Sequence, residues 1–256
     1  MNLFYSTFLP TGINPTDMVL IATIFFVSGV IKGFLGIGLP SAAMALLTLI
    51  MAPITAIPLM ILPIIFTNLM QYARSRNKRE IAVKYRWFAF AIMLGIFITS
   101  LFITSYPTSL LTMAIGFAMV AFSVNMLFNI PLPISNHLGW QIGTGLFAGI
   151  LGGLSSIWSP PVAMYLIARN TPKEEFIAAT GFMFLAGALP LAAGLLISGV
   201  VTAETLVHSL TGLVVVIFGF RIGEIMRDFV SHEFFRRCVL VAFLLMGIRL
   251  IATSLW

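Results

Sequence analysis

Eight apolar stretches follow one another along the chain, and the charged residues are pushed to their ends. The stretches run from Met18 to Met51, Ile54 to Ala73, Trp87 to Ser105, Leu110 to Phe128, Leu138 to Ala168, Phe176 to Ile197, Leu206 to Phe220 and Val239 to Leu255. One crossing of a bilayer's hydrocarbon core takes about 20 residues. Inside lipid each backbone N–H and C=O must be satisfied by protein, which for stretches of this kind selects the α-helix. The expected fold class is therefore an all-α polytopic membrane protein. Composition agrees: 9% of the 256 residues are charged and 60% are hydrophobic, whereas a soluble domain needs about 25% charged residues to cover a water-facing surface.

The net charge of +6 suggests a polyanionic partner at first sight. The Lys and Arg residues sit in short loops between apolar runs, however, which is the distribution of a chain facing the cytoplasmic leaflet and not of one that binds nucleic acid. Cys238 is the single cysteine, so it has no intrachain disulfide partner and is expected to be apolar filler. His137, His208 and His232 are scattered near stretch ends, so neither a metal site nor a cofactor is expected. The first sixteen residues lack a positive n-region and contain Pro10, Gly12 and Pro15. No cleavable signal is expected there, and the first apolar stretch should be retained.

Two stretches, the first and the fifth, are too long for one crossing, and both are interrupted by Gly, Pro and Ser. They read GVIKGFLGIGLPSAAMALL from Gly29 and GLFAGILGGLSSIWSPPVAMYLI from Gly145. Gly29, Gly33 and Gly36 register with Gly145, Gly149 and Gly152. Pro40 and Met44 register with Pro160 and Met164, and Pro53 and Pro172 open the next helix of each half. The chain thus reads as an internal duplication: an N-terminal segment 1–16, a first repeat 17–128, a linker 129–137 and a second repeat 138–256, forming one integrated membrane domain.

Loop charge suggests how the halves face. Arg74, Arg76, Lys78, Arg79, Lys84 and Arg86 form the densest basic cluster, while the equivalent segment Ser198 to Glu204 has no Lys or Arg. Arg227, Arg236 and Arg237 lie between the last two stretches, and the equivalent turn Thr104 to Ser109 is uncharged. Equivalent loops on opposite faces imply inverted-topology repeats, hence an odd number of crossings in each. Four stretches per half satisfy this if each overlong stretch is a re-entrant broken-helix hairpin, followed by three spanning helices. Both termini would then face the periplasm of a protein in the inner membrane, and the hairpin tips would meet near the midplane.

A helix that restarts within the membrane presents unpaired N–H groups and the positive end of its dipole, which suits an anion. Pro160 fits the first helical position with Ser159 as N-cap, and Pro40 plays the same part opposite. All eight carboxylates (Asp17, Glu80, Glu174, Glu175, Glu204, Glu224, Asp228, Glu233) fall at stretch ends or in loops, whereas Lys32 lies deep in the first broken stretch. A charge at that depth with no acidic partner is expected to meet a substrate anion. The candidate substrate-binding residues are Lys32, Gly36, Gly38, Pro40, Ser41, Thr67 and Asn68 in the first half, and Gly152, Gly153, Ser155, Ser156, Trp158 and Ser159 in the second. Each has a plainer alternative. Lys32 could snorkel to an interface, Gly33 and Gly36 could serve helix packing, and the serines could satisfy the broken backbone. Trp158 could anchor at the interface, Thr67, Asn68 and Gln71 could be interhelical glue, and Arg249 could snorkel.

At GVIKGFLGIGLPSAAM and GLFAGILGGLSSIWSPPVAM, taken with the inverted halves, the chain resembles the TauE/SafE family of sulfite and organosulfur anion exporters. The resemblance spans essentially the whole chain. It implies a secondary transporter of small sulfur-containing anions, often outward. The inverted repeats favour alternating access at a midplane site, and protons are a further candidate partner. Uptake or channel-like permeation of another small anion is the alternative within transport. An intramembrane enzyme would need a nucleophile with a base, paired acids or a metal set at depth, and no such set is present.

Overall fold

A computed structural model of the chain describes residues 15–256 except Pro131, Asn136, Arg227 and Trp256, with side chains from Met18 onward. The N-terminal segment up to residue 14, the Asp17 carboxylate and the Arg227 of the loop-charge pattern lie outside the described residues. Twelve α-helices account for the regular structure of those residues, together with one 3-10 turn at Ile103–Ser105. The first half comprises α1 (Pro15–Leu35), α2 (Leu39–Leu47), α3 (Pro53–Leu59), α4 (Ile61–Ala73), α5 (Lys78–Lys84), α6 (Arg86–Leu101) and α7 (Thr108–Phe128). The second comprises α8 (Leu138–Ser155), α9 (Ser159–Ala168), α10 (Lys173–Ile197), α11 (Ala203–Met226) and α12 (His232–Leu255). Five helices (α1, α7, α10, α11 and α12) are long and apolar enough to cross a membrane, and there are seven such spans if the bent pairs α3–α4 and α5–α6 each count as one.

Both bends have local causes. The 41° break between α3 and α4 lies between Pro58 and Pro63, each lacking a backbone donor and crowding the carbonyl one turn back. The Leu62 N–H at this break donates to Ser209 Oγ of α11, 3.0 Å away, so a neighbouring side chain takes over where the helix ladder is interrupted. The basic segment after Ala73, expected as a loop, instead folds residues Lys78–Lys84 into α5, set at 69° to α6. Ile81 is buried while the charged residues around it are exposed, an amphipathic pattern too short for the stretch-length criterion to detect.

The halves are interleaved through glycine. In α1 a Cβ on Gly29 would sit 2.5 Å from the Val216 carbonyl of α11, and one on Gly33 would fall onto the Phe220 backbone. Gly219 and Gly223 of α11 press in turn on the Phe26 and Val30 carbonyls. The second half repeats the device: a Cβ on Gly149 of α8 would lie 2.7 Å from the Ile92 carbonyl and 3.0 Å from Gly95 Cα in α6. Small residues one turn apart let helix backbones touch, which drives association where lipid supplies no hydrophobic force. Close packing is therefore the role of Gly33. Gly33→Val or Gly149→Val should each cost about 1 to 3 kcal/mol by overpacking, read as a lowered Tm of the detergent-purified protein; an unchanged Tm would contradict this contact.

These contacts also set direction and depth. α1 runs parallel to α11, since Gly29 meets Val216 and Gly33 meets Phe220. α4 is parallel to α11 as well, through Leu62–Ser209 and Arg74–Glu224. α6 and α8 both run parallel to α10: Tyr85 bonds Glu175, Ile96 meets Gly187 and Leu101 meets Gly194 along α6, while Gly145 and Gly149 of α8 meet Phe88 and Ile92. Because the short connection after Arg74 reverses the chain, α4 and α10 are antiparallel. α1 has 21 residues, about 31 Å at 1.5 Å per residue, and its break falls beside the C-terminal end of α11. The second break follows Gly153, which packs on Thr99, beside the C-terminal end of α6. Past the end of α1, Gly38 lies against the Phe243 ring near the middle of α12, and past the end of α8, Trp158 lies against Gly187 near the middle of α10.

Candidate functional site

Lys32 stands in the last turn of α1, where its carbonyl accepts the Gly36 N–H at 2.8 Å. Its side chain is 1% exposed, so it does not snorkel. The ammonium donates to Asn68 Oδ1, and Asn68 Nδ2 donates to the Ile64 carbonyl at 2.8 Å. An ammonium carries three donors, and the ion pairs among the described residues involve Arg74, Lys84, Arg221, Arg236 and Arg237 but never Lys32. A buried charge facing only a neutral amide oxygen costs several kcal/mol to hold in place.

The first break is made by Gly36 and Gly38, with φ of 80° and 97°, values that glycine alone adopts without strain. α2 then begins at Leu39 with Pro40 in its first turn, and the Ser41 hydroxyl is buried without a partner. At the second break Ser156 takes φ 60°. Its hydroxyl and Trp158 Nε1 are likewise buried and unpartnered. The indole is 1% exposed, so it is no interfacial anchor. It occupies room left by two glycines: a Cβ on Gly152 would lie 2.9 Å from Trp158 Cβ, and one on Gly187 2.9 Å from its Cε2. The Phe184 ring meets it edge-on at 6.4 Å and 88°.

Lys32 and Trp158 reach back from the two breaks toward one depth. Gln71 of α4 bonds Ile177 and Thr180 of α10, and the two helices are antiparallel, so Asn68 lies about level with Met183. Gly187, against the indole, is one turn further along α10, about 6 Å of rise. By that register the Lys32 ammonium, bonded to Asn68, and the indole, against Gly187, lie within about one helical turn of each other in depth.

Other candidate residues are engaged locally. Ser155 donates to the Leu151 carbonyl at 2.5 Å and accepts the Ile157 N–H at 3.0 Å, so it satisfies the broken backbone. Thr67 donates to the Pro63 carbonyl at 2.6 Å, and Gly153 serves contact with Thr99. Ser159 is the first residue of α9 and Trp158 its cap, with no side-chain capping bond. The one-residue shift from the expected Ser159 cap is of the size by which helix ends vary. Pro160 and Pro161 remove two of the four N–H groups that the start of α9 would otherwise leave free, so few backbone donors remain at this break. Arg249 is exposed on α12, away from this centre.

Three buried residues escaped the sequence expectation. Ser123 of α7 is fully buried with an unpartnered hydroxyl, and a serine inside an apolar stretch carries no distinguishing signal. Thr180 and Gly187 of α10 take part through Gln71 and Trp158, and for Gly187 a signal did exist: in the register that aligns Pro53 with Pro172, it falls opposite Asn68. Among the cavities of the described residues, one of about 630 Å³ is lined by α1, α3 and α11 and one of about 560 Å³ by residues around α5 and the start of α10. None of the candidate residues lines either one.

A search of curated proteins and of solved structures finds no match. A family model described as sulfite exporter TauE/SafE matches residues 20–250, which takes in both breaks and every helix that positions them. On that coverage the chain belongs to the sulfite exporter TauE/SafE family, a family of membrane transporters.

Proposed function

We propose that the chain carries a small anion, sulfite or an organosulfur anion, across the inner membrane by exposing the Lys32–Trp158 centre to the two sides in turn. The observation that supports this best is the buried Lys32 ammonium with no carboxylate partner. At the two breaks the buried, unpartnered polar atoms of Ser41, Ser156 and Trp158 Nε1 can also donate. A set of donors carrying one positive charge complements a compact oxyanion with several acceptor oxygens, and it would leave a cation or an uncharged apolar solute unsatisfied. The antiparallel course of the equivalent helices α4 and α10 supports inverted repeats, the architecture that serves alternating access.

The test is flux into and out of reconstituted vesicles for sulfite, short organosulfonates, chloride and a cation, with and without a proton gradient. Saturable flux of the sulfur oxyanions is expected, and the gradient arm shows whether a proton accompanies them. Flux of the cation in preference to the anions would overturn the reading.

Loop charge supports a cytoplasmic position for the segment Arg74 to Arg86. A cysteine at Asn77, in a Cys238→Ser background, should then be labelled in intact cells by permeant reagents alone. Ready labelling by an impermeant reagent from outside would reverse the orientation.

A further inference from the structure

The two cavities correspond to one another across the duplication. The larger is lined by Ile54, Pro58 and Leu59 of α3 and by Thr205, His208 and Gly212 of α11. The smaller is lined by Pro172, Glu175 and Ala178 at the start of α10 and by Asn77, Ile81 and Lys84 around α5. Aligning Pro53 with Pro172 superposes the first set of walls, and aligning the glycine contacts of α6 with those of α11 superposes the second. The cavities open at opposite ends, since α3 and α11 begin at one end while α4 ends and α10 begins at the other. They are of similar size, about 630 and about 560 Å³, as two routes to one central site would be.

Their floors differ in chemistry. The larger cavity ends on Phe25, a fully buried ring packed so closely on Gly212 that a Cβ there would lie 2.9 Å from it. The smaller ends on Gln71, whose Nε2 donates to the Ile177 carbonyl at 2.9 Å and to Thr180 Oγ1 at 3.0 Å. Gln71 lies three residues beyond Asn68, on the same face of α4, so it stands between the cavity and the Lys32 ammonium. Backbones also close up here, with a Cβ on Gly181 only 3.0 Å from Tyr72 N.

We infer that Gln71 is a gate for the transported anion: its amide bridge to Thr180 and Ile177 closes the Lys32–Trp158 centre from the smaller cavity, and the donors released when the bridge opens accept the anion on its way through. This rests on the transport reading above. An amide bridge suits the task because hydrogen bonds within protein are individually weak in net terms, and an anion entering between Gln71 and Thr180 replaces the acceptors that the open gate gives up.

The experiment places a cysteine at Thr67, which is buried one turn from Gln71 toward the centre, in a Cys238→Ser background. Sealed vesicles expose the smaller-cavity face to sulfonatoethyl methanethiosulfonate, an anionic thiol reagent. Gln71→Leu, which keeps bulk without the bridge, and Thr180→Val should each speed modification about tenfold, the effect of losing one or two such bonds. A cysteine at Ile115, buried on α7, should be no faster in the same variants. Unchanged rates at position 67, or an equal rise at position 115, overturn the gate. The readout does not depend on which anion is carried: faster modification at position 67 alone supports the gate even in vesicles that show no anion flux, and that flux result bears on the transport reading.

Discussion

Lys32→Met should lose most anion flux at subsaturating substrate while the protein stays as stable as wild type or becomes more so. Methionine matches the length of lysine without its charge. The expected loss is about 1 to 3 kcal/mol in substrate affinity, the range for a charge-assisted contact. Stability should move the other way or not at all, because an apolar replacement for a buried charge that lacks an opposite charge is neutral or favourable. Lys32→Arg keeps the charge but spreads it over a planar fork, so partial activity is expected. Flux in vesicles and Tm in detergent, measured on the same preparations, separate the possibilities. A fall in both would make Lys32 structural, and wild-type flux in Lys32→Met would remove the electrostatic half of the site.

The second large effect belongs to Trp158. Its indole fills the space between Gly152 and Gly187 and meets Phe184, so Trp158→Ala should cost about 3 to 5 kcal/mol of stability from the cavity it leaves. That variant alone cannot report on binding. Trp158→Phe keeps most of the ring packing and deletes Nε1–H, the donor without a partner. Its Tm should stay close to wild type while its flux falls several-fold, the effect of one lost hydrogen bond. If Trp158→Phe transports as well as wild type, the indole is packing and the anion's donors are Lys32 and the serines.

The all-helical membrane class was legible because lipid leaves few ways to satisfy a backbone, so stretch length and sparse charge nearly decide it. The depth of Lys32 was legible for the same reason: no carboxylate stood near it in the chain. Single residues within the broken segments were harder to assign. Ser155 and Ser156 are neighbours in sequence, yet one is spent on the backbone of the break and the other is left free, a difference set by the φ of 60° at Ser156. Gly33 and Gly36 look alike in the motif. The first lies against Phe220 and the second has open space around its Cβ position, because only the first faces α11. Glycine contacts of α1 with α11 and of α8 with α6 were written in the motif spacing, whereas their partners Val216, Phe220 and Ile92 lie far along the chain and carry no signal of their own.

The register proposed for the two halves pairs unlike residues at these positions. In register, Lys32 falls opposite Ala148, Asn68 opposite Gly187 and Trp158 opposite Gly38. One half supplies the charge and its amide, and the other supplies the aromatic donor and the glycine that makes room for it. On the proposed reading such a site is asymmetric and draws on both halves.

The most direct test is equilibrium binding of sulfite to the detergent-purified protein by titration calorimetry, run in parallel on wild type and on Lys32→Met. One saturable site is predicted in wild type, competed by a short organosulfonate and weakened about tenfold or more in Lys32→Met. Equal sulfite binding by the two proteins would contradict the account.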